Sequence, residues 1–526
     1  MTHSDAEGGF LRMKQTELNL ITAFFLIVIV CLAAKPGVAN PLQDIAASYI
    51  IRVNQPQLQV TLELSRIRSK VLYISFINHS AGVDNLAARV GRLRARAVRS
   101  GEDLPVEFGG DGLYEIQTQG ESKINLSYDF NPRAVEHNHN LSVLTSSYLH
   151  ISLDDFLAGV FSRRQDVESF DNLLYKNFRL KFTNLPAGWK TLTTYPVTQD
   201  GWVLIDNYEE LLLHTGAYRT AATQKINDCN FTFAFDQKIQ FDRSLILQDS
   251  FKLIKYYSGI FKRTPVPEEL IVINQSRGVY GPGWSYGGQA KKKNIILEFG
   301  GLNHKNQIKS RARLAGFLGH EIFHIWLPGA FNIKDNWEWF GEGFTEYQSW
   351  RSLRELGVMN ETQFREQIVL KYHKYETLNL KAKVSVLAAT TRKFDPNPEY
   401  YTLIYDKGAL IAYLLDRRLR KTGKDFNQFL AELYQEYAVP QKPLGNRELI
   451  RFIDEYLGDS SFTRDYVRGT KILPIDPWRE FGMGYFKIKF PPPPFPLNIL
   501  IPLVVLILAG WPAMKASRRK KVRMNL

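Results

Sequence analysis

The stretch Gly319-His320-Glu321-Ile322-Phe323-His324-Ile325-Trp326 constrains this chain more than any other. It is an H-E-x-x-H motif in an apolar run, and no proline interrupts the preceding Arg313-Leu314-Ala315-Gly316-Phe317-Leu318. The run therefore predicts a helix. Residues four apart share a helix face, so His320 and His324 can aim ring nitrogens at one point. Glu321 projects beside them, placed to act on a water at a metal rather than to ligate. A hydrolytic zinc site takes three protein ligands and keeps one position open. Glu342, in Trp339-Phe340-Gly341-Glu342-Gly343-Phe344-Thr345, is the natural third ligand, with seventeen residues between it and His324. The segment reads as a second helix packing antiparallel on the first, across a turn-rich connection at 328–336. Metal-bound histidines usually donate their second N–H to a carboxylate or carbonyl. Glu346, one turn beyond Glu342, is a candidate for that partner, a solvated surface acid being the competing reading.

H-E-x-x-H followed by W-F-x-E-G-F-T resembles the gluzincin zinc peptidases. A second segment, Tyr405-Asp406-Lys407-Gly408-Ala409-Leu410, is similar to the Y-x-K-G-A segment of the glycyl aminopeptidase family and related aminopeptidases. Residues 462–470 with Pro474, and upstream 185–190 and 208–211, also resemble that family, over roughly residues 50–480. The resemblance implies a thermolysin-like catalytic domain, one zinc ion held by His320, His324 and Glu342, and a peptide or protein substrate. It also implies that Glu321 acts as general base and that Tyr405 donates to the tetrahedral oxyanion, a hydrogen bond worth several kcal/mol when preorganised. A helix-face tyrosine in an aromatic-rich stretch is the alternative for Tyr405. The family's exopeptidase strand carries glycines that line the substrate backbone and a glutamate that binds the free amino terminus. Here Gly287 and Gly288 are kept as substrate-binding residues, but Ala290 stands where the acid would be. That departure argues against exopeptidase specificity and for internal cleavage or recognition of other termini. A different class of reading, a membrane-anchored binding module on a catalytically degenerate peptidase fold, is separated from hydrolysis by metal analysis.

The ends of the chain bear on location. Arg12 and Lys14 precede twelve consecutive apolar residues at 23–34, and Gly37-Val38-Ala39 offers small residues for cleavage, so residues 1–39 read as a signal peptide or an N-terminal anchor. Residues 481–494 form a proline-rich linker, 495–514 an apolar segment long enough for a transmembrane helix, and 515–526 a basic tail. Lys515, Arg518, Arg519, Lys520, Lys521 and Arg523 supply six of the formal +14 charge. Cations placed directly after an apolar span are what a membrane stop sequence shows, so a nucleic-acid reading is rejected. The expectation is a single-pass protein with its catalytic domain exported, periplasmic or extracellular, and its C-terminus cytoplasmic. Only Cys31 and Cys229 occur, which leaves no intramolecular disulfide once the leader is removed.

Between the ends, residues 40–245 are rich in alternating runs such as Gln57-Leu58-Gln59-Val60-Thr61-Leu62 and predict an N-terminal β-sandwich-like domain. From 246 to 480 short buried strands give way to long helical segments. The fold class expected is α+β: a β domain, then a mainly helical catalytic domain whose edge strand near Gly287 lines a cleft and pairs with an extended peptide.

Overall fold

The computed structural model describes residues 45–482, apart from short stretches at 81–82, 133–140, 169–171, 209–210 and 277–283 and residues 292, 394 and 396. The expected leader, the proline run, the apolar span at 495–514 and the basic tail lie outside the described residues. Among the described residues no helix is long and apolar enough to cross a membrane.

The alternating runs form strands as their period demands. In Gln57–Ser65, Leu58, Val60, Leu62 and Leu64 are buried while their neighbours are not. This strand pairs antiparallel with Ala46–Asn54 and Lys123–Phe130 near the middle of a seven-stranded sheet. A four-stranded sheet built on Val71–Phe76 and Leu113–Gln117 shares one apolar core with it, Leu62 and Leu64 lying in the same cluster as Leu72 and Ile74. The N-terminal part is thus a sandwich of two packed sheets. A further four-stranded sheet, including Tyr148–Ser152 and Leu212–Gly216, turns toward the catalytic part. There Val143 and Tyr148 join Tyr218, Ala234, Leu270 and Val272 in a small cluster of their own.

The catalytic part starts earlier than residue 246. Tyr218–Ile226 and Cys229–Asp236 pair with each other, and the second runs parallel to Glu268–Ser276. Asn294–Gly300 follows in parallel, and Ser285–Lys291 closes the five-stranded sheet as an antiparallel edge. Cys229–Asp236 alternates in sequence as the sandwich strands do, and only the pairing partners assign the two first strands to this sheet. Cys229, a free thiol, is buried in its core.

Helices pack against this sheet. The motif helix, Arg311–Phe323, buries every residue from Leu314 on, and His324 caps its C-terminal end still in helical geometry. The second helix, Glu338–Glu355, crosses it antiparallel: Gly316 faces Trp350 and Leu353, Gly319 faces Ser349, and His320 faces Glu346 and Glu342. A third helix, Gly408–Lys421, is joined through a π turn at Leu403–Lys407, a distortion common at functional sites. It meets the second helix backbone to backbone. A Cβ on Gly343 would lie 2.4 Å from the Gly408 carbonyl carbon, so both positions require glycine. Gly343→Ala is expected to cost about 1–3 kcal/mol of stability through overpacking. Denaturant unfolding checks this, and an unchanged midpoint would mean that the helices separate freely there.

Candidate active site

The motif helix and the second helix bring three donors together. His320 Nε2 and His324 Nε2 are 3.1 Å apart, with their ring planes at 88°. Glu342 Oε2 lies 3.4 Å from the first and 3.7 Å from the second. The ligand atoms of all three residues lie within 4.8 Å of one another.

The opposite ring nitrogens are spoken for. His324 Nδ1 is 2.9 Å from the Leu327 carbonyl oxygen, which can only accept, so Nδ1 carries the proton. His320 Nδ1 is 3.0 Å from Glu346 Oε2. These contacts direct the Nε2 lone pairs of both rings at the same point, where they repel unless positive charge lies between them. The titration behaviour agrees. Burial pushes His324 down to about 4, helped by the nearby His320, so it stays neutral as a ligand must. Burial opposes protonation of His320 too, but hydrogen bonding to Glu342 and Glu346 outweighs it and holds that pKa well above the usual imidazole range. The nitrogen pair thus needs positive charge between its members, which a proton on His320 or a metal ion supplies, and two imidazoles with one carboxylate are the donor set of a hydrolytic zinc site.

Charged neighbours hold the ligands in place. Glu342 turns its other oxygen, Oε1, to Lys393 Nζ at 3.3 Å. Glu346 is 2.9 Å from Lys371 Nζ, which is also 2.7 Å from Asp406 Oδ1. Burial works to raise the pKa of both glutamates. For Glu342 the His320 hydrogen bond and the charge of Lys393 prevail, and for Glu346 the charge of Lys371 and the His320 hydrogen bond do, so both stay well below the usual carboxylate range.

Glu321 points from the motif helix to the edge strand. A Cβ on Gly288 would lie 2.6 Å from its carboxyl carbon, so glycine is needed for this close approach. Burial raises the Glu321 pKa to about 7; His320 opposes the shift, and Glu342 and Glu346 add to it. Tyr405, on the π turn, stacks on Tyr401 at 4.1 Å between ring centroids. Burial and the charge of Glu342 hold its hydroxyl well above the usual tyrosine range, so it remains an O–H donor.

All of these groups line one cleft of about 800 Å³, together with Gly287, Gly288 and Ala290. The structure thus gathers His320, His324, Glu342, Glu321, Glu346, Tyr405, Gly287 and Gly288 at a single place. Sequence reasoning missed Lys393, Lys371 and Arg313. It quoted Asp406 only as a neighbour of Tyr405 and did not place Tyr401. Asp406 follows the motif tyrosine directly, but adjacency on a helix does not put two side chains on one face, and its partner Lys371 lies on a separate helix, Glu361–Glu376.

Residues 292–464 match the sequence model of the peptidase family M1 domain. No curated protein matches the chain. Among solved structures, an aminopeptidase N family protein from Idiomarina loihiensis is similar at 17% identity, with a TM-score of 0.69, over 81% of this chain and 76% of that one. An M1 zinc metallopeptidase from Deinococcus radiodurans is similar at 14% identity, with a TM-score of 0.51, over 82% of this chain and 95% of that one. A mutant of the Deinococcus radiodurans metallopeptidase with a Tyr-Ser-Ala substrate bound gives a TM-score of 0.50 at 14% identity, over 82% of this chain and 95% of that one. These likenesses are of fold. The matched domain makes the catalytic part a zinc-dependent metallopeptidase of the gluzincin aminopeptidase type, as the sequence resemblance implied.

Glu346→Ala is expected to lower zinc affinity about 10–100-fold by freeing the His320 ring. Competition with a chelator of known affinity measures this. Unchanged affinity would show that Glu346 does not orient His320.

Proposed function

We propose that the chain hydrolyses peptide bonds with Glu321 as general base and Tyr405 as oxyanion donor, and that it does so without selecting for a free amino terminus. The observation that carries the reading is the placement of Glu321 between the His320–His324–Glu342 cluster and the edge strand at Gly288. A zinc ion held by those three residues would supply Lewis acidity and lower the pKa of water toward 7. A substrate strand laid along Ser285–Lys291 brings its scissile carbonyl past Gly288, where no side chain stands in the way. Glu321 takes the proton of the attacking water and returns it to the leaving amine. The Tyr405 hydroxyl donates to the developing oxyanion. The substrate-bound Deinococcus radiodurans structure supports a peptide as the ligand class.

Ala290 faces the same side of the edge strand as Gly288, two residues on. Among the described residues the carboxylates lining the cleft are Glu321, Glu342, Glu346 and Asp406. Each already serves the histidine cluster, the proton transfer or Lys371, which leaves none to receive a substrate ammonium group. The reading extends to location: the leader at 1–39 and the apolar span at 495–514 with its basic tail support an exported catalytic part tethered to a membrane. Loss of membrane sedimentation on removal of 495–526 tests the tether, and sedimentation that persists contradicts it.

Glu321→Gln is expected to retain zinc while hydrolysis falls about 10²–10⁴-fold, and Tyr405→Phe to lose about 10²–10³-fold in kcat. Metal content and turnover, measured on the same preparations, check both. Full turnover by the zinc-loaded Glu321 variant refutes the mechanism. Peptides with free and acetylated amino termini are expected to be cleaved at comparable rates. A strong preference for the free terminus would contradict the meaning given to Ala290.

A further inference from the structure

The cleft continues beyond the catalytic groups to a guanidinium. Arg313 lies seven residues before His320 on the motif helix, about 10 Å along its axis at 1.5 Å per residue, and two turns apart on the same face. It is exposed and lines the cleft. Its guanidinium carbon is 4.7 Å from the Trp284 ring centroid and 5.1 Å from that of Tyr286. Tyr286 in turn packs on Phe317 at 4.4 Å. Aromatic rings thus flank the cation, which remains exposed at the cleft.

Strand and helix advance together here. Gly288 meets Glu321, Tyr286 meets Phe317, and Tyr286 then meets Arg313. An extended peptide beside the edge strand climbs about 3.3 Å per residue. The residue about three positions from the cleaved bond therefore arrives at the guanidinium.

We propose that Arg313 forms a carboxylate subsite, so that this enzyme favours peptides bearing an acidic side chain or a free C-terminus about three residues from the scissile bond. The proposal rests on the hydrolytic reading of the site and adds a substrate class to it. A carboxylate there accepts two parallel N–H bonds from the fork, and the contact weakens with salt because the site is open to solvent.

The test uses the full chain, zinc-loaded, with internally quenched peptides of one neutral sequence. Glu and Gln are exchanged at each of three positions on either side of the cleaved bond, and a C-terminal acid is compared with the amide. One position is expected to show a Glu-over-Gln preference of about 10-fold in kcat/KM, the size of one charge-assisted contact. Gain from the C-terminal acid alone would identify the terminus as the source of the carboxylate. In Arg313→Gln the ratio is expected to fall close to one, and in Arg313→Lys to survive in part. A ratio near one at every position and terminus in the wild type, or one that persists in Arg313→Gln, overturns the subsite while hydrolysis of the Gln peptides leaves the catalytic reading standing. Absence of cleavage of every peptide by the wild type sinks both.

Discussion

Two imidazole nitrogens 3.1 Å apart, each presenting a lone pair, are an unstable arrangement without a positive charge between them. The chain spends much of its organisation on maintaining it. The Leu327 carbonyl and Glu346 take the outer ring nitrogens, and Glu342 supplies the third donor. Lys393 and Lys371 then balance the two glutamates. Remove the cation and the carboxylates draw a proton onto His320 instead, which is the sense of its raised pKa.

Packing makes this electrostatic arrangement possible through close backbone approaches. The contact of Gly343 with Gly408 brings the second helix against the helix that follows Tyr405, so Glu342 and Tyr405 line the same cleft. On the opposite wall Gly288 admits the Glu321 carboxylate to the edge strand. The further four-stranded sheet of the N-terminal part supports that wall from behind: Tyr148 donates to Glu298, which pairs in register with Gly287. The β domain therefore buttresses the strand on which a substrate would lie.

Much of the site was legible in the sequence because it is written in helical spacing. His320 and His324 are one turn apart, and so are Glu342 and Glu346, so each pair shares a helix face whatever the rest of the fold does. The glycines of the edge strand and Tyr405 came through family resemblance rather than period. Lys393, Lys371 and Arg313 were not legible, because a lysine or arginine on a polar face looks the same whether or not an acid or an aromatic ring from another element meets it. The start of the catalytic sheet was misplaced for a similar reason: Tyr218–Ile226 and Cys229–Asp236 carry strand patterning that says nothing of which sheet they join.

X-ray absorption at the zinc edge, on the purified full chain with its metal content measured in parallel, tests the convergence of these donors most directly. The account predicts one zinc per chain with two imidazole nitrogens and oxygen ligands at about 2.0–2.2 Å. A chain that takes up no stoichiometric zinc, or a zinc shell with fewer than two imidazoles, would contradict it.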